Sequence, residues 1–265
     1  RLCAETGGPF DRFSHLNRRI AIFRAQASGG NAILVLPVLQ WKMLRGTSII
    51  DPFAGVDRIV GGSPAPPGVA PYQASLLSPK GTNVCGGAIL SSRAIISVAH
   101  FYLLSRDVNP EDIVILVGTN NLSLQGQTHN VSQIISHEGY NRTSKENDIA
   151  ILITVTEITM NGNTKPIAVS AEYVRKGESL TFTEYNPVPR LSLFLLRLLD
   201  IGFHLKSNYF LLQGDSGAPL VLSHHKGPVL VGVASFGIPC GIGYPDVFTR
   251  ISAYVDWMQS HVPDL

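Results

Sequence analysis

The sequence predicts an all-β protein of the antiparallel sandwich or barrel type, with one α-helix at its C-terminus. From Ile59 onward, short apolar runs recur at intervals of roughly 8–12 residues and are separated by Gly, Pro, Asn and Ser. The 25 glycines and 17 prolines in 265 residues are typical of a turn-rich chain rather than a helical bundle. Only the last segment has the periodicity of an amphipathic helix.

The predicted strands are the apolar runs themselves, because short apolar runs bounded by turn residues are typical of strands. In chain order they are Tyr72–Leu77, Ala88–Leu90, Ala94–Val98, Ile113–Val117, Val131–Ile135, Ile149–Ile153 and Val229–Ala234.

The C-terminal helix is predicted over residues 251–261. Ser252 lies where a helix-capping residue is expected. The helical period is carried by four apolar residues at i, i+3, i+4 and i+7, which are Ile251, Tyr254, Val255 and Met258.

Composition excludes several classes of protein. A net charge of +2, from 21 basic and 19 acidic residues, is too small for the basic surface that binds nucleic acid. No apolar run reaches the roughly 18 residues of a membrane-spanning helix. With 45% apolar and 15% charged residues, the chain can form a sizeable core. We therefore expect a soluble globular protein with no nucleic-acid and no membrane partner.

The N-terminal segment differs from the rest of the chain. Residues 1–57 are more basic and show no sustained period of 2 or 3.6. We interpret residues 1–58 as a leader or pro-segment without a stable fold of its own.

The cysteines do not form a recognisable framework. Cys3, Cys85 and Cys240 leave at least one thiol without an intrachain partner, and they lack the spacing of a zinc site. An odd number of cysteines mildly favours a protein that resides in a reducing compartment of the cell. Secretion is favoured instead by three glycosylation sequons, which begin at Asn121, Asn130 and Asn141. On the residues alone, the compartment stays open.

The strongest chemical signal is the segment Gly214-Asp-Ser-Gly217. A serine on such a glycine-rich turn can expose its Oγ while backbone N–H groups converge on one point, as an oxyanion hole requires. Alone, the segment is equally consistent with an ordinary turn. A serine nucleophile also needs an imidazole base and a carboxylate that orients it, and His100 and Asp148 are the candidates.

Five short segments set these three residues in a wider pattern. The step from His100 to Asp148 is 48 residues, close to the roughly 45 of a known Ser-His-Asp triad. In order along the chain, the segments are Arg58–Gly62, Val98–His100, Asp148–Leu152, Gly214–Pro219 and Ser235–Gly237. Together they resemble the trypsin/chymotrypsin family of serine endopeptidases, and the resemblance runs from Arg58 to the C-terminus.

The resemblance implies a role for each residue of the triad. His100 would be the general base and acid, Asp148 would orient it, and Ser216 would form the acyl-enzyme. The N–H groups of Gly214 and Ser216 would form the oxyanion hole. Ser235 would steady Asp148.

The resemblance also implies activation by cleavage. A cut after Arg58 would free the α-ammonium group of Ile59, which would pair with the carboxylate of Asp215 beside the nucleophile. Residues 1–58 would then be the pro-segment of a zymogen, and a trypsin-like protease would be the activator.

The resemblance extends to substrate binding. Ser235, Phe236 and Gly237 would pair with the substrate backbone as an added strand. Phe210 in the pocket and Gly237 at its entrance favour large apolar substrate side chains, as in chymotrypsin-like members. Asp246, at a pocket-lining position, would tolerate some basic side chains.

One segment departs from the family. Asp148 and Ser216 are 68 residues apart rather than about 93, so the second barrel is predicted to be incomplete. Residues 186–212 are rich in Leu and Phe, and in isolation they read as a buried or misplaced helix. Two explanations stand for this segment, a divergent loop and a sequence that is read through an intron. We favour the second explanation. The same explanation applies to residues 1–50.

The cysteines depart as well. The resemblance makes Cys85 and Cys240 half-cystines, but Phe101 and Leu212 occupy their partner positions. Two disulfides, each stabilising a small secreted domain by about 2–5 kcal/mol, are therefore expected to be absent.

Taken together, we expect a secreted serine endopeptidase zymogen with a chymotrypsin-like preference. Its peptidase domain, residues 59–265, would hold barrel one over 59–170, barrel two over 171–250 and the C-terminal helix. The alternative is a non-catalytic protease homologue that acts by binding. Expected partners are protein or peptide substrates, the activating protease and protein inhibitors; no cofactor or metal ion is expected.

Overall fold

The computed structural model describes residues 63–104, 108–175, 178–185, 191–197, 204–205, 214–225, 227–236 and 246–265. The predicted pro-segment, residues 1–58, lies outside them.

The described chain is built mainly from strands, as predicted. They are β1 (Ser63–Pro64), β2 (Gln73–Leu77), β3 (Asn83–Ile89), β4 (Ala94–Ser97), β5 (Val114–Val117), β6 (Gln127–Ser136), β7 (Ala150–Thr154), β8 (Ala168–Val169), β9 (Ser179–Tyr185), β10 (Leu191–Arg197), β11 (His204–Leu205), β12 (Pro219–His224), β13 (Gly227–Phe236) and β14 (Asp246–Arg250). The helices are α1 (His100–Leu104), α2 (Val255–His261) and two 3-10 turns, Pro110–Asp112 and Ile251–Ala253. Each of the seven predicted apolar runs overlaps a strand.

The first half of the fold is a closed antiparallel barrel with the strand order β2-β3-β4-β7-β6-β5. Its strands carry large aliphatic side chains that are fully buried. They include Leu76, Ile89, Ile95, Ile115, Ile151 and Leu152. Strand β6 alternates, with His129 and Val131 facing inward and Thr128 and Asn130 exposed, which fixes its register against the core.

The second half is a sheet with the strand order β1-β10-β9-β12-β13-β14-β11, and β8 pairs with β13 in parallel. Phe182 and Phe248 meet edge to face in its core, with ring centroids 5.6 Å apart. Leu180, Leu220 and Ala234 are buried beside them. The predicted incompleteness of a second barrel rests on residues 186–212, most of which lie outside the described residues.

The sequence predicts a helix within residues 186–212, and the structure contradicts this where it describes the segment. Residues 191–197 form β10, which pairs with β9 from Leu191↔Tyr185 to Arg197↔Ser179. A short apolar run does not reveal whether it is strand or helix. The neighbouring edge of β9 supplies backbone partners along the whole segment, and pairing to it decides the conformation.

The C-terminal helix lies within the predicted span, residues 251–261. Its first turn is 3-10, and α2 begins at Val255 with Tyr254 as N-cap and without a side-chain capping bond. The expected capping role of Ser252 is therefore wrong, because that residue lies within the 3-10 turn. Met258 is fully buried and anchors the helix to the core. Among the described residues, no helix is long and apolar enough to cross a membrane.

Candidate active site

Three polar side chains meet where the barrel and the second sheet come together. His100 begins α1 just after β4, and Asp148 precedes β7. Ser216 lies in the turn that leads into β12. The barrel therefore supplies the imidazole and the carboxylate, and the second sheet supplies the hydroxyl.

The imidazole of His100 bridges the other two groups. Its Nδ1 is 2.7 Å from Asp148 Oδ2, and its Nε2 is 3.1 Å from Ser216 Oγ. Because a carboxylate only accepts hydrogen bonds, Nδ1 carries the proton and Nε2 presents a lone pair to the serine hydroxyl. This arrangement can take a proton from Ser216 and return it.

Asp148 is almost fully buried, at 1% exposure, and its oxygens are satisfied by hydrogen bonds. Oδ1 accepts from the backbone N–H of His100 at 2.7 Å. Oδ2 accepts from Ser235 Oγ at 2.5 Å as well as from the imidazole, which is the contact expected for Ser235. The Asp148 carbonyl accepts from Thr249 Oγ1 at 2.7 Å. The carboxylate is thus held in one orientation towards His100.

The turn that carries Ser216 depends on glycine. Gly214 and Gly217 have φ values of 108° and 80°, in the left-handed region that favours glycine. A Cβ at Gly217 would also lie 2.3 Å from both Gly86 O and Ser97 Oγ. Gly217 N donates to Ala234 O at 2.7 Å, so β13 fixes the far side of the turn. The two expected oxyanion residues, Gly214 and Ser216, both belong to this turn.

Strand β3 of the barrel packs directly against the same turn. The N–H of Gly86 donates to the Ser216 carbonyl at 2.7 Å. A Cβ at Gly86 would lie 2.8 Å from the Cα and N atoms of Ala218. Only glycine allows the two backbones to approach this closely.

The remaining predicted residues are described only in part. Asp215 and Asp246 are buried, at 1% and 7% exposure. Phe236 ends β13 and is 38% exposed. The other four expected activation and pocket residues, Arg58, Ile59, Phe210 and Gly237, lie outside the described residues.

Cys85 is a buried free thiol beneath the turn. Its Sγ lies 2.9 Å from the Ser216 carbonyl oxygen and 3.4 Å from Ser97 Oγ. Burial raises the pKa of this thiol to about 12. Phe101, at the position expected for a disulfide partner, is half-buried and packs edge-on against Tyr102.

Sequence reasoning missed three residues that support the site. Thr249, Gly86 and Ser97 bond to the backbone of the site or to its supporting strand. The double glycine after Cys85 was the one available signal, since a close backbone approach requires glycine. Among the described residues, no group of three or more His, Cys, Asp or Glu side chains is placed to bind a metal ion.

Comparison with known proteins gives consistent matches. The model of the Trypsin family matches residues 59–185 and 209–258. The chain is 27% identical to Chymotrypsin-2 of Vespa crabro over 226 residues, covering 77% of this chain and 99% of that protein. It is 30% identical to Trypsin I-P1 of Gallus gallus over 233 residues, covering 77% and 89%. It is 32% identical to Trypsin Tyr p 3.0101 of Tyrophagus putrescentiae over 235 residues, covering 76% and 79%.

Proposed function

The chain belongs to the Trypsin family, and from that premise we propose that it is a serine endopeptidase working through an acyl-enzyme. The single observation that carries the proposal is the position of His100. Its ring joins a buried carboxylate at 2.7 Å to a serine hydroxyl at 3.1 Å.

The proposed reaction has two halves. Ser216 Oγ attacks the peptide carbonyl carbon as His100 Nε2 accepts the hydroxyl proton, and Asp148 stabilises the imidazolium that forms. The N–H groups of Gly214 and Ser216 hold the negative oxygen. His100 then gives its proton to the leaving amine, the C–N bond breaks and the acyl-enzyme remains. Water, activated by the same imidazole, hydrolyses the ester and restores Ser216.

We propose that the uncut chain is a zymogen. Cleavage after Arg58 creates the α-ammonium group of Ile59, which pairs with the carboxylate of Asp215. The resemblance of the segment Arg58–Gly62 and the position of Asp215, buried and next to Ser216 in the chain, support this proposal. Pairing then adds a further contact to the turn that holds Ser216.

The proposed preference is for large apolar substrate side chains. It rests on the sequence positions of Phe210 in the pocket and Gly237 at its entrance. Asp246, buried at the start of β14, adds tolerance for some basic side chains. Ser235, Phe236 and Gly237 hold the substrate backbone as an added strand.

We further propose that residues 59–265 form the peptidase domain of a secreted protein. Its partners are protein substrates, an activating trypsin-like protease and protein inhibitors. The family and the exposed sequon residues Asn130 and Asn141 support secretion.

The alternative is a non-catalytic homologue that acts by binding. The hydrogen bonds among His100, Asp148 and Ser216 favour the enzyme, because a binding protein has no need of a base 3.1 Å from a hydroxyl.

An acylation burst tests the proposal. After cleavage at Arg58, a p-nitrophenyl ester should release about one equivalent of nitrophenolate per chain in a fast phase. Ser216→Ala should remove the burst, whereas Ser260→Ala should not, because Ser260 is exposed on α2, where its Oγ donates to Trp257 O. A folded, cleaved protein without a burst would support the binding homologue.

A further inference from the structure

We propose that Cys85 is a positioning residue that holds the carbonyl group of Ser216, a role that rests on the proposed peptidase function. Cys85 belongs to the barrel strand β3, whereas Ser216 belongs to the turn before β12. The thiol therefore ties the nucleophile of one half of the fold to the other half.

The Ser216 carbonyl receives two donors from β3. Gly86 N lies 2.7 Å and Cys85 Sγ lies 2.9 Å from its oxygen. A carbonyl oxygen has two lone pairs, so these contacts fill its acceptor capacity. The peptide unit that follows Ser216 is fixed from the barrel side.

The hydroxyl group next to Cys85, that of Ser97, donates its own hydrogen to another acceptor, so the thiol hydrogen is available for the Ser216 carbonyl oxygen. Ser97 Oγ has one hydrogen and donates it to Gly86 O at 2.8 Å. The Cys85 hydrogen can go to Ser97 Oγ at 3.4 Å or to Ser216 O at 2.9 Å, and the carbonyl is both closer and the better acceptor. Ser97 therefore contacts both donor residues, Cys85 at its thiol and Gly86 at its carbonyl oxygen.

The thiol is available as a donor because it is neither ionised nor oxidised. Cys85 is fully buried, and burial raises its pKa to about 12, so the sulfur keeps its hydrogen at physiological pH. A disulfide sulfur has no hydrogen to donate. Phe101 at the expected partner position therefore gives this chain a hydrogen bond that a half-cystine could not make.

Fixing the Ser216 carbonyl restricts rotation about the bond between its Cα and carbonyl carbon. The Oγ atom and the N–H group of the same residue then stay aligned with His100 and with the oxyanion. Substrate contacts are untouched, so loss of the thiol should act on kcat and leave KM unchanged.

Two substitutions separate positioning from packing. Cys85→Ala removes the donor and should lower kcat roughly three- to tenfold, with KM unchanged. Cys85→Ser keeps a donor and should restore most of the lost kcat. If the sulfur only fills space, Ser should be no better than Ala, because a buried hydroxyl is the more costly replacement. That result, or a Cys85→Ala enzyme with the kcat of the natural chain, would overturn the proposal.

A control and a spectrum complete the test. Val131→Ala, in the barrel core on β6, should lower stability without changing kcat. The infrared difference between the natural chain and Cys85→Ala isolates the S–H stretch of Cys85 from every other band of the protein. A band at lower frequency than that of a free thiol supports the bond, and an unshifted band overturns it. A lowered band in a folded, cleaved protein without an acylation burst would instead overturn the peptidase function.

Discussion

Asp148 shows at the residue scale how the site is held. Both carboxylate oxygens accept hydrogen bonds from His100, one from the backbone and one from the ring. Ser235 shares the ring-facing oxygen at 2.5 Å. The carboxylate therefore has one orientation, and each bond lost should lower the fraction of molecules with the imidazole aligned.

Ser235→Ala should lower kcat about tenfold, because it removes a hydrogen bond to a buried charge. Steady-state kinetics on the cleaved protein would measure it. Ser75→Ala is the matched control: it removes another buried hydroxyl, one that bonds Asn83 Oδ1 at 2.6 Å within the barrel. It should change stability but not kcat. Equal effects of the two substitutions would contradict a link between Ser235 and the imidazole.

His129 should make the barrel sensitive to acid. Its Nδ1 bonds Thr156 Oγ1 at 2.8 Å, and desolvation lowers its pKa below the ordinary 6.5. The folded state then binds a proton less readily than the unfolded state, so stability present above pH 6.5 is lost as the pH falls below it. In urea unfolding at pH 7.5 and 5, His129→Gln should lose less stability on acidification than the natural chain. An equal loss in both proteins would refute this source of acid sensitivity.

The triad residues could be predicted from the sequence, whereas most of their supports could not. His100, Asp148 and Ser216 each lie in a short recognisable segment. Thr249 is 101 residues from Asp148, and Cys85 is 131 residues from Ser216. Contacts of that separation depend on how two sheets pack, which a local pattern does not contain.

Among the elements, β3 and the turn before β12 determine the geometry of the nucleophile. Gly86 brings the two backbones into contact, and its N–H donates to Ser216 O at 2.7 Å. No flexible side chain separates them, so added volume at this point must move a backbone.

Gly86→Ala should destabilise the fold by about 1–3 kcal/mol and lower kcat, because its Cβ would overlap Ala218 backbone atoms at 2.8 Å. Chemical denaturation and kinetics would measure the two effects. Gly162→Ala is the control, since a Cβ there meets nothing within 4 Å. A Gly86→Ala enzyme as stable and active as this control would show that the close approach is unimportant.

The sequence predicted elements well where apolar runs are bounded by turn residues. The barrel strands follow such runs because alternation or full burial fixes their faces. Residues 191–197 were misread because their apolar density fits a helix or a strand equally well in isolation. Pairing with β9, a non-local interaction, decides between them.

At the scale of the whole molecule, the candidate site exists only where two halves meet. The barrel supplies His100 and Asp148, the second sheet supplies Ser216, and Ser235 of β13 bonds back to Asp148. A process that acts on the turn before β12 can therefore alter the site without changing the barrel. The proposed cleavage at Arg58 would be such a process.

Fluorophosphonate labelling with peptide mapping, before and after trypsin treatment, tests this account most directly. The reagent reports a serine that is activated by its base and supported by an oxyanion hole. The account predicts labelling of Ser216 only after cleavage, with no labelling in Arg58→Gln, whose activation bond trypsin does not cut. A folded, cleaved protein that never labels at Ser216 would contradict the account.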